Sequence, residues 1–312
     1  MKLEKRSELF SAGYYNTGNT GFLELWDFSD ANLSMENRVK AVSQVASVCF
    51  GNNGLKPNFK LYDKLSRESI GLPSSSFEFI PVILNEHKIN LLDSHFRVVM
   101  QNFYGLLKTG SEWNYKDFVP NVVRYGYVFV DKGKQYILTN LRALMYDLEF
   151  IQKNITSKHL PSVDDKYWLN TKEEVETYIK KLFVVFRVKA TIRDFRQLFR
   201  HRRAFQQELS RRYTSGEKVP FEFRYNLEMA KYFADRLIKR DEEAVDMYFE
   251  AVENGFKKED ARDLLPVSLY SIAWIGFYPD GYANFLNLRT KSSAQKAIRE
   301  IAEKMRDFKQ IY

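Results

Sequence analysis

One cysteine stands in the 312 residues, Cys49. That excludes a disulfide framework and any zinc site built on cysteine thiolates. The four histidines form no HExxH motif, there is no CxxC, and no carboxylate pair stands at metal-ligand spacing. Glycine-rich phosphate loops are missing too: neither GxGxxG nor a Walker sequence occurs, so any dinucleotide is bound without the usual glycine fingerprint. No apolar run approaches the roughly 20 residues that span a bilayer. The segment Met1–Arg6 lacks the apolar stretch of a secretion signal. These absences lead us to expect a soluble protein of the reducing cytoplasm, with no membrane partner and no metal.

What is present is apolar surface and positive charge. Hydrophobic residues make up 45% and aromatic ones 15%, enough to bury a substantial core. A net charge of +8 favours an anionic partner: a nucleotide, a nucleic acid or a phosphorylated cofactor.

Read in order, Phe22–Phe28 is a strand. Ser34 is an N-cap before a helix whose apolar stripe is Val39, Val42, Val45 and Cys49, and the helix stops at Gly51. On that stripe Cys49 reads as core. A short helix or turn covers 64–72, and Phe77–Leu84 is a strand. A long stretch at about 93–181 then carries its own elements: a helix near 94–108, a hairpin of Val122–Val130 and Gln135–Leu138 around Asp131-Lys132-Gly133, and a helix over Asn140–Phe150. A polar linker with Pro161 and a capping box at Thr171 and Glu174 follow. Leu182–Lys189 is an apolar strand. Ile192, Phe195 and Phe199 then recur at helical spacing, with Gln197 and Arg200 opposite them. A long helix spans about 224–253, a short one ends at Leu265-Pro266, and Leu269–Tyr278 is a strand broken at Pro279-Asp280-Gly281. The last helix buries Ala294, Ile298, Ile301 and Met305.

The chemistry concentrates in Arg200–Tyr213. Five of these fourteen residues are arginine, and from Arg193 to Arg212 seven arginines meet only two acids, Asp194 and Glu208. Arginine grips phosphate and carboxylate through a planar fork that stays charged. A solvated basic helix face is the plain alternative. Against it, Arg200, Arg202 and Arg203 crowd together at a cost in repulsion unless an anion neutralises them, and His201 sits among them. Ser210 has no base in the same segment, so it reads as a hydroxyl donor rather than a nucleophile.

The segment resembles the R-H-R-x-x-S-x-N-x-x-S-x-R-Y motif of the flavin-dependent thymidylate synthases, the ThyX family. It matches at Arg200, His201, Arg202, Ser210, Arg212 and Tyr213, and departs at Phe205 and Gln207, where the family has serine and asparagine. Ala261-Arg262-Asp-Leu-Leu-Pro266 resembles the family's A-R-x-x-L-P, and Asn284-Phe-Leu-Asn-Leu-Arg289 followed by Ala294-Gln295 resembles N-F-L-x-L-R…A-Q. The resemblance covers most of 182–305 and, more faintly, 38–90. It implies an α+β fold, a central mostly antiparallel sheet flanked by helices, here one domain over 1–312 with an inserted helix and hairpin subdomain at about 93–181.

It also implies an enzyme that methylates dUMP at C5 to dTMP with FAD, NADPH and methylenetetrahydrofolate, as a homotetramer whose subunits share sites. Carried over by position, Gln197, Arg200, Glu208, Ser210, Arg212 and Arg262 hold dUMP, and Arg289 polarises the uracil as the catalytic residue. Arg200, His201, Arg202, Glu208 and Asn284 hold the flavin, with Ser75 beside them. Two departures touch that side: Pro73 replaces the family's histidine, and Tyr278-Pro279-Asp280 replaces its N-x-R. Inside the insertion Asn140-Leu-Arg142 echoes the lost pattern, and we expect Asn140 and Arg142 to supply the missing flavin contacts. The alternatives are a related enzyme acting on another pyrimidine nucleotide or making another C5 modification, a homologue that has lost catalysis, and an arginine-rich nucleic-acid-binding protein.

Overall fold

Val184–Thr191 and Tyr270–Phe277 are mostly apolar, and residues pointing to both faces are buried, the pattern of strands covered on both sides. In the computed structural model they are two of the three inner strands of the main sheet. The structure describes residues 6–10, 14–16, 21–51, 56–66, 73–106, 120–154, 166–214 and 221–309.

Along the chain the elements are β1 (Arg6–Phe10), β2 (Tyr14–Asn16), β3 (Gly21–Trp26), α1 (Met35–Ser47), α2 (Phe59–Ser66), β4 (Pro81–Leu84), α3 (Glu86–Leu106), α4 (Asn121–Arg124), β5 (Tyr127–Asp131), β6 (Lys134–Asn140), α5 (Leu141–Asn154), α6 (Lys172–Glu174) and α7 (Lys180–Leu182). There follow β7 (Val184–Thr191), α8 (Ile192–Leu198), β8 (Ala204–Glu208), β9 (Arg224–Asn226), α9 (Leu227–Glu253), α10 (Lys258–Ala261), β10 (Tyr270–Phe277), α11 (Pro279–Arg289) and α12 (Lys296–Phe308). The main sheet has the order β1-β3-β7-β10-β8, every neighbour antiparallel. A second sheet, β4-β6-β5, is antiparallel as well, and β2 pairs with β9. The fold is thus mixed α and β, with antiparallel sheets flanked by helices.

Strand alternation sorts the main sheet's side chains into two cores. Val184, Phe186, Val188, Ala273, Ile275 and Phe277 face α8, α11 and α12. The opposite face carries Val185, Trp274 and Phe205 against α1, β4 and α5. Strand β6 pairs with both β4 and β5, so the stretch expected as an insertion closes a sheet whose first strand lies before it. Asn170 seals the seam: its side chain donates to the Pro81 carbonyl and accepts from Ile83 N, while its backbone N–H donates to the Asn32 carbonyl.

Several expectations are corrected. Phe77–Leu84 is not one strand, because Ser74 caps a 3-10 turn over Ser75–Phe79 and the strand begins only at Pro81. Asn121–Arg124 is a helical turn before the hairpin, with Asp147 accepting from the N–H groups of Asn121 and Val122. The hairpin turns at Lys132 and Gly133, both at positive φ (48° and 77°), as a two-residue turn requires. The helix expected at 94–108 begins at Glu86, and Pro279-Asp280-Gly281 starts α11 rather than breaking the chain, proline being suited to a first helical turn. The capping box at Thr171 and Glu174 is present. The turn expected up to 72 and the linker at Pro161 lie outside the described residues. Among those described, no helix is long and apolar enough to cross a membrane.

Candidate active site

The arginine-rich segment is not one helix. Helix α8 ends at Leu198, Arg200–Arg203 form a turn, β8 runs along the sheet edge, and a second turn follows at Arg211–Tyr213. The apolar spacing of Ile192, Phe195 and Phe199 suggested a longer helix. The chain leaves it because residues 204–208 pair with Phe277–Ala273 of β10. An extended strand separates the two halves of the motif by about 13 Å, at ~3.3 Å per residue.

At the first end, three expected residues converge. Arg289, at the end of α11, donates from Nε to His201 Nε2 at 2.9 Å and from Nη2 to the Gln197 carbonyl at 3.2 Å; Nη1 reaches Gln197 Oε1 at 3.5 Å. His201 is buried, its ring edge-on to Phe285 at 5.0 Å. Burial, and then the neighbouring Arg289 charge, hold its pKa below the ordinary histidine value. The imidazole is therefore neutral at pH 7, accepting at Nε2. Arg289 itself is pushed down by burial and by Arg200. Arg200 is exposed beside this pair.

At the far end of β8 stand Glu208, Ser210 and Arg212. Burial raises the pKa of Glu208, opposed by the Ser271 hydroxyl and the Arg211 charge. The Ser210 hydroxyl accepts from Arg212 N at 3.3 Å, and Arg212 Nε donates to Glu259 at 3.1 Å. Arg262 is exposed just beyond α10. Within one chain these four do not meet Arg289. Asn284 is exposed on α11.

The two departures from the motif point into the protein. Phe205 packs between Phe79, Phe183 and Tyr278, at centroid distances of 5.2, 5.4 and 5.4 Å. Its ring lies on Gly276, where an added Cβ would stand 1.8 Å from the Phe205 ring. Gln207 accepts from the Ser75 hydroxyl and donates to Cys49 Sγ, so Ser75 is tied to the strand rather than presented alone. Cys49 is half-buried and donates to the Glu208 carbonyl at 3.3 Å, which ties it to the site as well as to the core.

Sequence reasoning missed how Arg203 is used. Its Nε donates to Asp280 at 2.9 Å, and Nη1 and Nη2 donate to the carbonyls of Arg124 and Gly126 at 3.2 and 2.9 Å. Part of the expected repulsion is thus relieved within the protein, by the acid that replaces the N-x-R arginine. The sequence held the acid and the unexplained arginine 77 residues apart, with nothing local to pair them. Asn140 caps α5, accepting from Ala143 N, and donates to the Tyr278 hydroxyl at 3.1 Å. Arg142 donates to the Pro73 carbonyl at 2.9 Å and pairs with Glu78, whose pKa burial raises against that pairing. Through Asn140 the echoed pattern therefore lies against the replaced segment itself.

Between them opens a cavity of about 530 Å3, lined by Arg124, Asn140, Arg142, Tyr146, Arg202 and Tyr278 among others. Guanidinium groups beside aromatic rings suit an anionic ligand with a planar part, so the donor set fits a flavin nucleotide. Among the described residues no cluster of His, Cys, Asp or Glu could hold a metal ion.

The profile of the thymidylate synthase complementing protein family matches residues 150–312, just over half of the chain. Flavin-dependent thymidylate synthases are similar to it: that of Thermotoga neapolitana is 34% identical over 136 residues, 41% of this chain and 61% of the relative. That of Thermosipho melanesiensis is 32% identical over 146 residues, 42% of this chain and 64% of the relative. The chain thus spans about three fifths of the length of these curated relatives. The crystal structure of a UMP/dUMP methylase, PolB from Streptomyces cacaoi bound with 5-Br dUMP, aligns at a TM-score of 0.35 and 24% identity over 40% of this chain and 64% of that one. By its matched half and the motifs within it, the chain belongs to the thymidylate synthase complementing protein family.

Proposed function

We propose that the protein methylates dUMP at C5, using methylenetetrahydrofolate as carbon donor, FAD as cofactor and NADPH as reductant, to give dTMP. The observation that carries this reading is the Arg289–His201–Gln197 cluster beside Arg200, which joins the arginine-rich segment and the Asn284–Arg289 segment at one point. Arg289 spends three of its five N–H groups on Gln197 and neutral His201, which fixes the guanidinium plane and leaves donors for a uracil carbonyl. A preorganised cation at that oxygen stabilises an enolate-like negative charge on the uracil, the form in which C5 is nucleophilic, and it needs no rearrangement to do so. Bound flavin supplies the redox chemistry. Asn140, Arg142, Arg202 and His201 form its wall in this reading, with Ser75, Glu208 and Asn284 completing it.

Gln197, Arg200, Ser210, Arg212, Glu208 and Arg262 hold the nucleotide. Since the last four stand at the other end of β8 from Arg289, a complete site needs a second copy of the chain, in agreement with a homotetramer. Residues 1–312 act as one catalytic domain carrying the insertion, working in the cytoplasm.

The test is anaerobic incubation with dUMP, methylenetetrahydrofolate, NADPH and FAD, with the nucleotide identified by mass. We expect dTMP; unchanged dUMP, together with a modified product from another pyrimidine nucleotide, contradicts the assignment of substrate.

A further inference from the structure

The cavity wall holds four guanidinium groups, those of Arg124, Arg142, Arg202 and Arg203, and one carboxylate, Glu78. Glu78 is taken by Arg142, and Asp280 by Arg203. Two cations remain: among the described residues, the side chains of Arg202 in the motif turn and Arg124 in α4 have neither an ion pair nor a hydrogen bond. Like charges gathered on one wall repel unless an anion enters between them. Each guanidinium fork matches one phosphate group in bidentate fashion. The rings of Tyr125 and Tyr146 line the same space and offer apolar faces to a planar group. A volume of about 530 Å3 lies within the range of nucleotide-sized sites.

We propose that Arg124, outside the motif and the family match, is a second phosphate ligand of this cavity, reaching the diphosphate of the dinucleotide of the flavin reading from across Arg202, with Tyr125 and Tyr146 against the attached base. The inference rests on the flavin reading above and deepens it, because it assigns the insertion a ligand contact of its own. Arg124 suits a test well. Its backbone carbonyl, not its side chain, receives Arg203, so the side chain can be changed without cutting that contact.

The experiment is calorimetric titration of the full chain with ADP, FAD, FMN and dUMP, for wild type, Arg124→Gln and Arg124→Lys, with melting curves to establish that each variant is folded. Losing one charge-assisted contact weakens binding by about tenfold or more. We expect that loss for ADP and FAD in Arg124→Gln, a partial return in Arg124→Lys, and less than about a threefold change for FMN and dUMP. Unchanged ADP and FAD affinity in folded Arg124→Gln overturns the proposal, as does an equal loss for FMN, which has no diphosphate. Arg124-dependent ADP binding without any FAD binding leaves the diphosphate site standing and removes the flavin reading. FAD binding that ignores Arg124 does the reverse.

Discussion

His201 accepts a hydrogen bond from a cation, which a protonated imidazole cannot do. Its folded pKa lies below the ordinary 6.5, so on acidification the unfolded chain takes up this proton first. The stability it contributes is complete above pH 6.5 and is lost as the pH falls through 6.5 toward the folded value. Comparing urea midpoints at pH 7.5 and 5.5 in wild type and His201→Gln isolates this residue. Wild type should lose more stability than the variant, and equal losses would contradict a neutral His201. Arg203 makes a second claim at this scale. Arg203→Ala strands the Arg124 and Gly126 carbonyls as well as Asp280, so it should cost about 1–2 kcal/mol in denaturant unfolding, whereas Asp280→Asn should cost under ~1 kcal/mol, since that pair is exposed. Equal costs would mean that the carbonyl contacts add nothing.

Among the elements, β8 joins the two ends of the arginine-rich segment, and its packing sets a sharp limit. Gly276→Ala would drive a methyl group into the Phe205 ring, and overpacking of this kind costs about 1–3 kcal/mol. Phe205→Leu should relieve part of that cost, so the two substitutions should couple in a double-mutant cycle. Additive losses would show that the ring does not rest on Gly276. This same strand marks where the sequence stops being legible. Helical spacing before it suggested a helix carrying the arginines, because the pairing that makes it a strand comes from β10, some 70 residues later. Elements whose cues are local were readable: the Ser34 cap of α1, the Thr171 capping box, the Lys132-Gly133 turn and the apolar stripe of α12. Of the site, the family segments assign both Gln197 and Arg289 to the nucleotide and they meet, whereas the echoed pattern marks Asn140 as a flavin contact and gives no sign of its bond to the Tyr278 hydroxyl. The pairing of Arg203 with Asp280 needed three dimensions, as did the tie from Ser75 through Gln207 to Cys49.

At the scale of the whole molecule, the residues before the family match and those within it share one apolar core. Val42, Phe79, Leu138 and Leu141 are buried in the same cluster as Trp168 and Trp274, which lie inside the matched residues 150–312. A core shared in this way should unfold as one unit. Variants keeping only Trp168 or only Trp274 should report the same urea midpoint by fluorescence, and two separate midpoints would show that the two tryptophans belong to separately folding units. The shared core also explains how a segment outside the family pattern comes to wall the cavity beside Arg202 and Tyr278.

The central claim, that these residues activate C5 of dUMP, is tested most directly by release of tritium from dUMP labelled at C5. The account predicts release by wild type that requires FAD, NADPH and methylenetetrahydrofolate, and a loss of about 100-fold or more in Arg289→Ala, the scale on which removal of a preorganised charge-stabilising donor acts. Release that persists undiminished in Arg289→Ala, or none from wild type with every component present, would contradict it.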